Sequence, residues 1–342
     1  MLQPADVLKK CLILLCALAL SECSSPVSGS LPADHMTNAL APQQTRASTS
    51  KHLYVSDAGQ HAVLRFALHG GTPDQRPDAT IGGFSDPRGI AIGPDNRLYA
   101  IDAATRKLLI FAPKPGSASK PIASIALNHR AGLNTVTVDP LGYVYVGWEA
   151  VCTTEGFFCG YVDVYSPFDK GLHIVNSTQL GLGGAVSGAQ VRGLAVNDAQ
   201  LMAEDFDIGP PFVYTHAPFF KVFYTMFCGG SNDSGVAWGP SRVLYATDLG
   251  GSSPAQVVVI TKIVSGCPTF YTITSATTPL NRPLAIAAGE GRIYVTSAFD
   301  QQLGSALVFV FNPAVAGSQN PLALIAGSAS KLLDPRGLAI GL

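Results

Sequence analysis

Apolar and polar residues alternate along most of this chain in short runs of four to six, and one such run recurs six times. The copies are Arg88-Gly-Ile-Ala-Ile92, Asn134-Thr-Val-Thr-Val138, Arg192-Gly-Leu-Ala-Val196, Ser234-Gly-Val-Ala-Trp238, Arg282-Pro-Leu-Ala-Ile286 and Arg336-Gly-Leu-Ala-Ile340. Most are followed by a second run ending in an acid or a small polar residue, as in Leu98-Tyr-Ala-Ile-Asp102 and Leu244-Tyr-Ala-Thr-Asp248. β-branched and aromatic residues bounded by Gly, Pro, Asn and Asp form strands, and no window carries a helical period. A third strand is expected at Ala62-Val-Leu-Arg-Phe66, Lys107-Leu-Leu-Ile-Phe111, Tyr161-Val-Asp-Val-Tyr165 and Leu307-Val-Phe-Val-Phe311, and a fourth near residues 79–81, 123–125 and 323–325. The second-type run Leu53-Tyr-Val-Ser-Asp57 has no first strand before it, and the run from Arg336 to Ile340 has no second strand after it. Each completes the other if the chain closes on itself.

Copies spaced by about forty to about sixty residues match the blades of a propeller, which cannot bury both faces alone and must stack around an axis. The pattern therefore predicts an all-β, six-bladed β-propeller over residues 51–342, closed by pairing the C-terminal strand with the N-terminal blade. The unit after Arg192 is the most degraded, because Leu201-Met-Ala-Glu-Asp205 runs into an aromatic-rich stretch through Phe227; ring closure is the main reason to place a blade there. The signature Pro-x-Gly-[Ile/Leu/Val]-Ala-[Ile/Val], then Leu-Tyr-x-x-Asp, then Val-x-x-Phe resembles the NHL-repeat propellers. That resemblance implies a fold and little about activity, since the family includes lyases, receptors and scaffolds.

The N-terminus reads as an export signal over residues 1–22, in which Lys9 and Lys10 precede ten apolar residues, too few to span a bilayer. Leu20-Ser21-Glu22-Cys23 resembles a bacterial lipoprotein cleavage box with Cys23 as the lipid-bearing residue, although Glu22 departs from the usual Gly or Ala. Plain cleavage and secretion is the alternative. Residues 23–50, rich in Ser, Pro, Ala and Thr, read as a flexible tether. The expected location is extracytoplasmic, in the bacterial cell envelope or secreted, with membrane attachment through the lipid alone. In that compartment the four cysteines past the tether pair as Cys152–Cys159 and Cys228–Cys267. A zinc site lacks Cys-x-x-Cys spacing and a histidine pair.

Charged residues are 13% of the chain and its net charge is −1, a balance that argues against a nucleic-acid partner, which would want a basic face. The chemistry-bearing candidates cluster at the heads of the first strands. Arg88, Arg192, Arg282 and Arg336 face one end of the central channel, where four guanidinium groups would attract a carboxylate or phosphate. The competing expectation is intra-blade pairing: Arg88 with Asp102, Arg192 with Asp205 or Glu204, and Arg336 with Asp57. Arg282 has no acid at the matching place, and Asp248 meets Asp233 or Ser234, so Arg282, Asp233, Asp248 and Trp148 are the candidate lining of a ligand site at this mouth.

Asn232-Asp-Ser-Gly-Val-Ala-Trp-Gly-Pro240 resembles a segment of the gluconolactonase propellers, whose family binds one divalent cation on the axis. Asn134 with Asn232 or Asp233 would supply two ligands, but no axial glutamate completes the set and the arginines oppose a cation. Neither a nucleophile elbow nor a phosphate loop is written in the chain, and the histidines are scattered. The rings between Phe212 and Phe227 offer either a stacking surface or filling between irregular blades. The sequence thus points to a monomeric, non-enzymatic scaffold for an unidentified small molecule or protein, without metal or other cofactor. A metal-dependent lactonase or esterase is the alternative.

Overall fold

Short strands separated by tight turns pair most readily with their chain neighbours, as antiparallel hairpins. The computed structural model describes residues 51–127, 131–151, 158–179, 191–199, 202–206, 212–215, 222–225, 233–250, 254–262, 269–300 and 304–342. The described strands sort into six sheets, numbered here I to VI. From the inside outwards, sheet II contains Pro87–Ile92, Leu98–Asp102, Lys107–Phe111 and Ala123–Ala126, and sheet III contains Ala131–Val138, Val144–Val151, Phe158–Tyr165 and Ile174–Gln179. Sheet IV contains Val191–Val196, Met202–Phe206, Phe212–Thr215 and Val222–Thr225. Sheet V contains Asp233–Trp238, Leu244–Asp248, Gln256–Lys262 and Thr269–Ser275, and sheet VI contains Ile286–Gly289, Arg292–Asp300, Ser305–Phe311 and Ala323–Ile325. In sheet I the innermost strand is Pro335–Gly341, paired antiparallel with His52–Asp57 in a register that sets His52 against Gly341 and Val55 against Leu338. Ala62–His69 follows outward.

The six innermost strands touch one another in a closed cycle, I against II and so on, with VI returning to I. This is a β-propeller arrangement. The repeated glycine of the first strand is set by that cycle. A Cβ on Gly89 would lie 2.6 Å from Cα of Thr135, and one on Gly337 would lie 2.6 Å from the carbonyl oxygen of Arg88. At Gly89 and Gly337 neighbouring inner strands therefore approach too closely for a side chain, whereas sheet III carries Thr135 at the matching position.

Apolar layers fill the wedges between sheets. Tyr54 and Val63 of sheet I pack with Ile90, Leu98 and Phe111 of sheet II, and Tyr245 and Val257 of sheet V pack with Ile293 and Phe309 of sheet VI. The tyrosine that follows an aliphatic residue in the second strand is buried in five sheets, at Tyr54, Tyr99, Tyr145, Tyr245 and Tyr294. Burial raises these phenols, Tyr99 and Tyr294 to about 12. They act as neutral donors: Tyr145 donates to Asp139 Oδ2 at 3.0 Å and Tyr294 to the carbonyl of Gly71 at 2.8 Å.

Three features depart from the sequence expectation. The run headed by Arg282 becomes a strand only at Ile286, because Arg282 holds a φ of 46° and Pro283 has no N–H to give to a ladder. The stretch that read as irregular carries two strands, Phe212–Thr215 and Val222–Thr225, which complete sheet IV. Gly317–Gln319, from the unit of sheet VI, crosses to pair in parallel with the outer strand of sheet V.

Candidate functional site: the two mouths of the channel

In sheets I and II the acid ending the second strand lies opposite the proline that opens the first strand, with Asp102 against Pro87 and Asp57 against Pro335. A proline has no donor, so the carboxylate reaches the amides just before it. Asp102 accepts the backbone N–H groups of Ser85 at 3.1 Å and Asp86 at 2.9 Å. Asp57 accepts those of Leu333 at 2.8 Å, Asp334 at 3.1 Å and Gln60 at 2.9 Å. In sheet VI, Ser297 takes the same place, accepting from the Asn281 amide at 2.8 Å and donating to its carbonyl at 3.0 Å. These residues latch the loops entering the inner strands of sheets I, II and VI. Burial holds Asp57 above the usual carboxylate range despite its three donors. For Asp102 burial acts in the same direction, but the amides of Asp86 and Ser85 together with Thr105 outweigh it and leave the group below that range.

The arginines consequently pair elsewhere. Arg88 Nε donates to Asp86 Oδ2 at 3.0 Å and Arg336 Nη2 to Asp334 Oδ2 at 2.7 Å, within the two Asp-Pro-Arg segments. The expected pairs Arg88–Asp102 and Arg336–Asp57 are thus corrected, because those acids are taken by backbone amides. Arg88 also reaches across to sheet III, donating from Nη1 to Asn134 Oδ1 at 2.7 Å. Arg192 precedes Gly193, which is in register with Asp205; the side chains of Glu204 and Asp205 lie outside the described residues.

At this head mouth, Asn134, Arg192 and Arg336 surround an axial cavity of about 60 Å³ floored by the backbones of Gly89, Gly193, Gly235 and Gly337. The other proposed lining residues do not gather there. Arg282 is exposed on its turn. Asp248 is 7% exposed and accepts from the Gly250 amide at 2.9 Å and from Gln256 Nε2 at 3.1 Å. Trp148 stacks on Tyr161 at 4.4 Å in the layer between sheets II and III. The side chain of Asp233 and all of Asn232 lie outside the described residues, and Ser234 instead bonds Thr247 at 3.0 Å and the carbonyl of Pro283. Cys159 is buried on sheet III, whereas Cys23, Cys152, Cys228 and Cys267 lie outside the described residues, as do residues 1–50.

The opposite mouth was not singled out from sequence. There the inner strands end in half-buried aliphatic residues: Ile92, Val138, Val196 and Ile340. They line a cleft of about 390 Å³ rimmed by Lys51 and Asn96, with Lys51 paired to Glu290. Asp139 at its edge is committed to the amides of Leu141 and Tyr143, each at 2.9 Å, and to the Tyr145 hydroxyl. Next to it, sharing Val196, is a cleft of about 600 Å³ that includes Asn197, Asp198, Trp238, Ser241 and Arg242. The signal was present in the last residue of each repeat copy, which alternation alone assigns to the core.

Asn134 is the described member of the suggested metal set, and its side-chain oxygen is already occupied by Arg88. Among the described residues no group of three or more His, Cys, Asp or Glu converges as a metal cage would require. His52, buried beside Asp78 at 3.4 Å, is held below the usual histidine range by that burial.

No family model matches the chain, and no curated protein matches its sequence. Solved structures do resemble it. A Bacteroides caccae protein of unknown function aligns over 86% of this chain and 99% of its own at 9% identity, with a TM-score of 0.62. A Lactobacillus plantarum protein aligns over 85% and 99% at 9% identity, TM-score 0.52. A functionally unknown protein from Desulfotomaculum acetoxidans aligns over 83% and 82% at 14% identity, TM-score 0.51. Likeness at these identities extends to the fold alone.

Proposed function

We propose that this chain is an exported, NHL-like propeller of six blades that acts as a non-enzymatic binding module and takes an anionic ligand at the head mouth. Residues 1–22 direct export, Cys23 carries a lipid, and residues 23–50 tether a monomeric propeller outside the cytoplasm. The observation that carries the binding reading is the convergence of Arg192, Arg336 and the Arg88-held Asn134 on the axial cavity, while Asp57 and Asp102 are spent on backbone amides. Guanidinium groups placed around a concave mouth recognise carboxylate or phosphate. Cys159 bonds Cys152 in this reading. Cys228 and Cys267 form the second bond. A gluconolactonase-type hydrolase would need the Asn134 oxygen for its cation, and that oxygen accepts from Arg88.

The test is calorimetric titration of the purified protein with citrate and inorganic phosphate against a chloride control, alongside elemental analysis and a lactone hydrolysis assay. Saturable anion binding that an Arg192→Ala, Arg336→Ala double variant abolishes is the expected result. One equivalent of a divalent metal accompanied by lactone turnover would replace this reading with the hydrolase.

A further inference from the structure

The cleft between the inner-strand turns of sheets IV and V differs from the aliphatic remainder of its mouth. Trp238 ends the innermost strand of sheet V, and its indole Nε1 donates to the carbonyl of Ala195 in sheet IV at 3.1 Å. That bond fixes the ring while the residue stays half-buried and lines a cleft of about 600 Å³. Two turns border the indole. One carries Asn197 and Asp198, with the Asn197 Oδ1 accepting the Ala199 amide at 2.9 Å. The other runs from Gly239 to Arg242, and a Cβ on Gly239 would lie 2.4 Å from the ring of Tyr245, so this turn is pressed onto a buried tyrosine.

Ser241 and Arg242 both hold left-handed backbone, with φ of 57° and 61°. Asn and Gly occupy such paired turn positions with least strain; here the chain keeps a hydroxyl and a guanidinium at a conformational cost, as happens where side chains are wanted for contact. Asp198 and Arg242 are exposed and make no ion pair with each other or with any other described residue.

We propose that this cleft binds a saccharide, with the face of one sugar ring lying on Trp238. An aromatic plane suits the C–H face of a pyranose, and the hydroxyls at its edge both donate and accept. Asp198 offers an acceptor only, Arg242 donors only, and Ser241 both. Because one carboxylate and one guanidinium face the same space, a neutral polyhydroxyl ligand satisfies both without leaving a net charge, which separates this site from the anionic head mouth.

The chain has two tryptophans, and the other, Trp148, is buried in its stack with Tyr161. A Trp148→Phe variant therefore reports Trp238 alone by its emission. It is titrated with glucose, galactose, N-acetylglucosamine and the disaccharides cellobiose, lactose and chitobiose, and the unsubstituted protein is titrated calorimetrically with the same sugars. A saturable response to at least one sugar is expected. Asp198→Asn or Arg242→Ala weakens that response about tenfold or more with an unchanged denaturation midpoint. No saturable response in either format up to about 0.1 M sugar overturns the proposal. So does binding that ignores both substitutions, or a response to adenosine with none to the sugars.

Discussion

The same six inner strands end in opposite chemistry at the two mouths of one channel. At the heads stand Arg88, Asn134, Arg192, Ser234 and Arg336, several of them bonded across to a neighbouring sheet. At the tails stand Ile92, Val138, Val196, Trp238 and Ile340, which line clefts and of which Trp238 alone can hydrogen-bond across, to the carbonyl of Ala195. Between them the glycine level leaves backbone against backbone. One repeated pentapeptide thus builds a polar end, a tightly packed waist and an apolar end. A repeat that fixes architecture also fixes the direction of the axis, and ligand chemistry can be assigned to each end separately.

The largest expected effect tests the ring on which both mouths depend. Removing residues 336–342 strips the strand paired to His52–Asp57 and exposes an unpaired edge there. The truncated chain should lose cooperative thermal unfolding by calorimetry. A transition unchanged from the full chain would show that the cycle is dispensable, and the two ends would then have no common axis. Gly89→Val and Gly337→Val test the waist. Each places a branched side chain where a Cβ already sits 2.6 Å from neighbouring backbone, so each should cost about 3 kcal/mol or more in urea denaturation. A loss below about 1 kcal/mol would mean the inner strands can part.

Asp57→Asn and Asp102→Asn probe the latches at the head end and should each cost about 1–3 kcal/mol at neutral pH. Their pH dependences run in opposite senses. Asp102 is depressed in the folded state, so its contribution is present above the unfolded value near 3.8 and lost as pH falls through the folded value. Asp57 is raised, so its contribution is full below that unfolded value and lost as pH rises through the folded value. The gap between wild type and Asp102→Asn should therefore narrow from about pH 7 to about pH 3, and the gap for Asp57→Asn should widen. Denaturation midpoints across that range check both signs.

The smallest effect concerns the arginines. Arg88→Ala loses a bond to Asn134 in addition to its pair with Asp86, whereas Arg336→Ala loses its pair with Asp334. Both side chains are about a third exposed, so the first should cost about 1 kcal/mol and the second less than about 0.5 kcal/mol. Equal midpoints for the two variants would remove the inter-sheet bond from the account of the head mouth.

Strand positions and the closure of sheet I were legible because alternation and spacing report burial directly. The fate of the arginines was not. Reading Arg88 against Asp102 treats antiparallel neighbours as side-chain partners, but Pro87 occupies the facing position and redirects the carboxylate to the amides of Ser85 and Asp86. The acid two residues upstream in Asp-Pro-Arg is the partner, a spacing visible in sequence once the extended geometry is known. Trp148 was misplaced for a related reason: a register irregularity between Gly147 and Glu149 interrupts the pairing of its strand with Ala131–Val138. Such bulges leave no mark in composition. Trp238 was passed over because a large apolar residue at the end of an apolar strand reads as core until its neighbours are known.

The seam in sheet I joins residues from nearly opposite ends of the propeller sequence. The first four strands of every other sheet pair hairpin by hairpin as the chain lengthens, whereas this one waits for its last strand. Its contacts span almost the greatest separation the domain allows, and the loop they close is correspondingly slow to find. Until it closes, the chain is an open arc with two bare edges, which is the form most exposed to mispairing and proteolysis. Joining residue 342 to residue 51 through a short linker and opening the ring at an exposed turn, such as that at Lys114, would move the slow step to another sheet. The folding rate of that permutant would show how much of the propeller's assembly time belongs to a single seam.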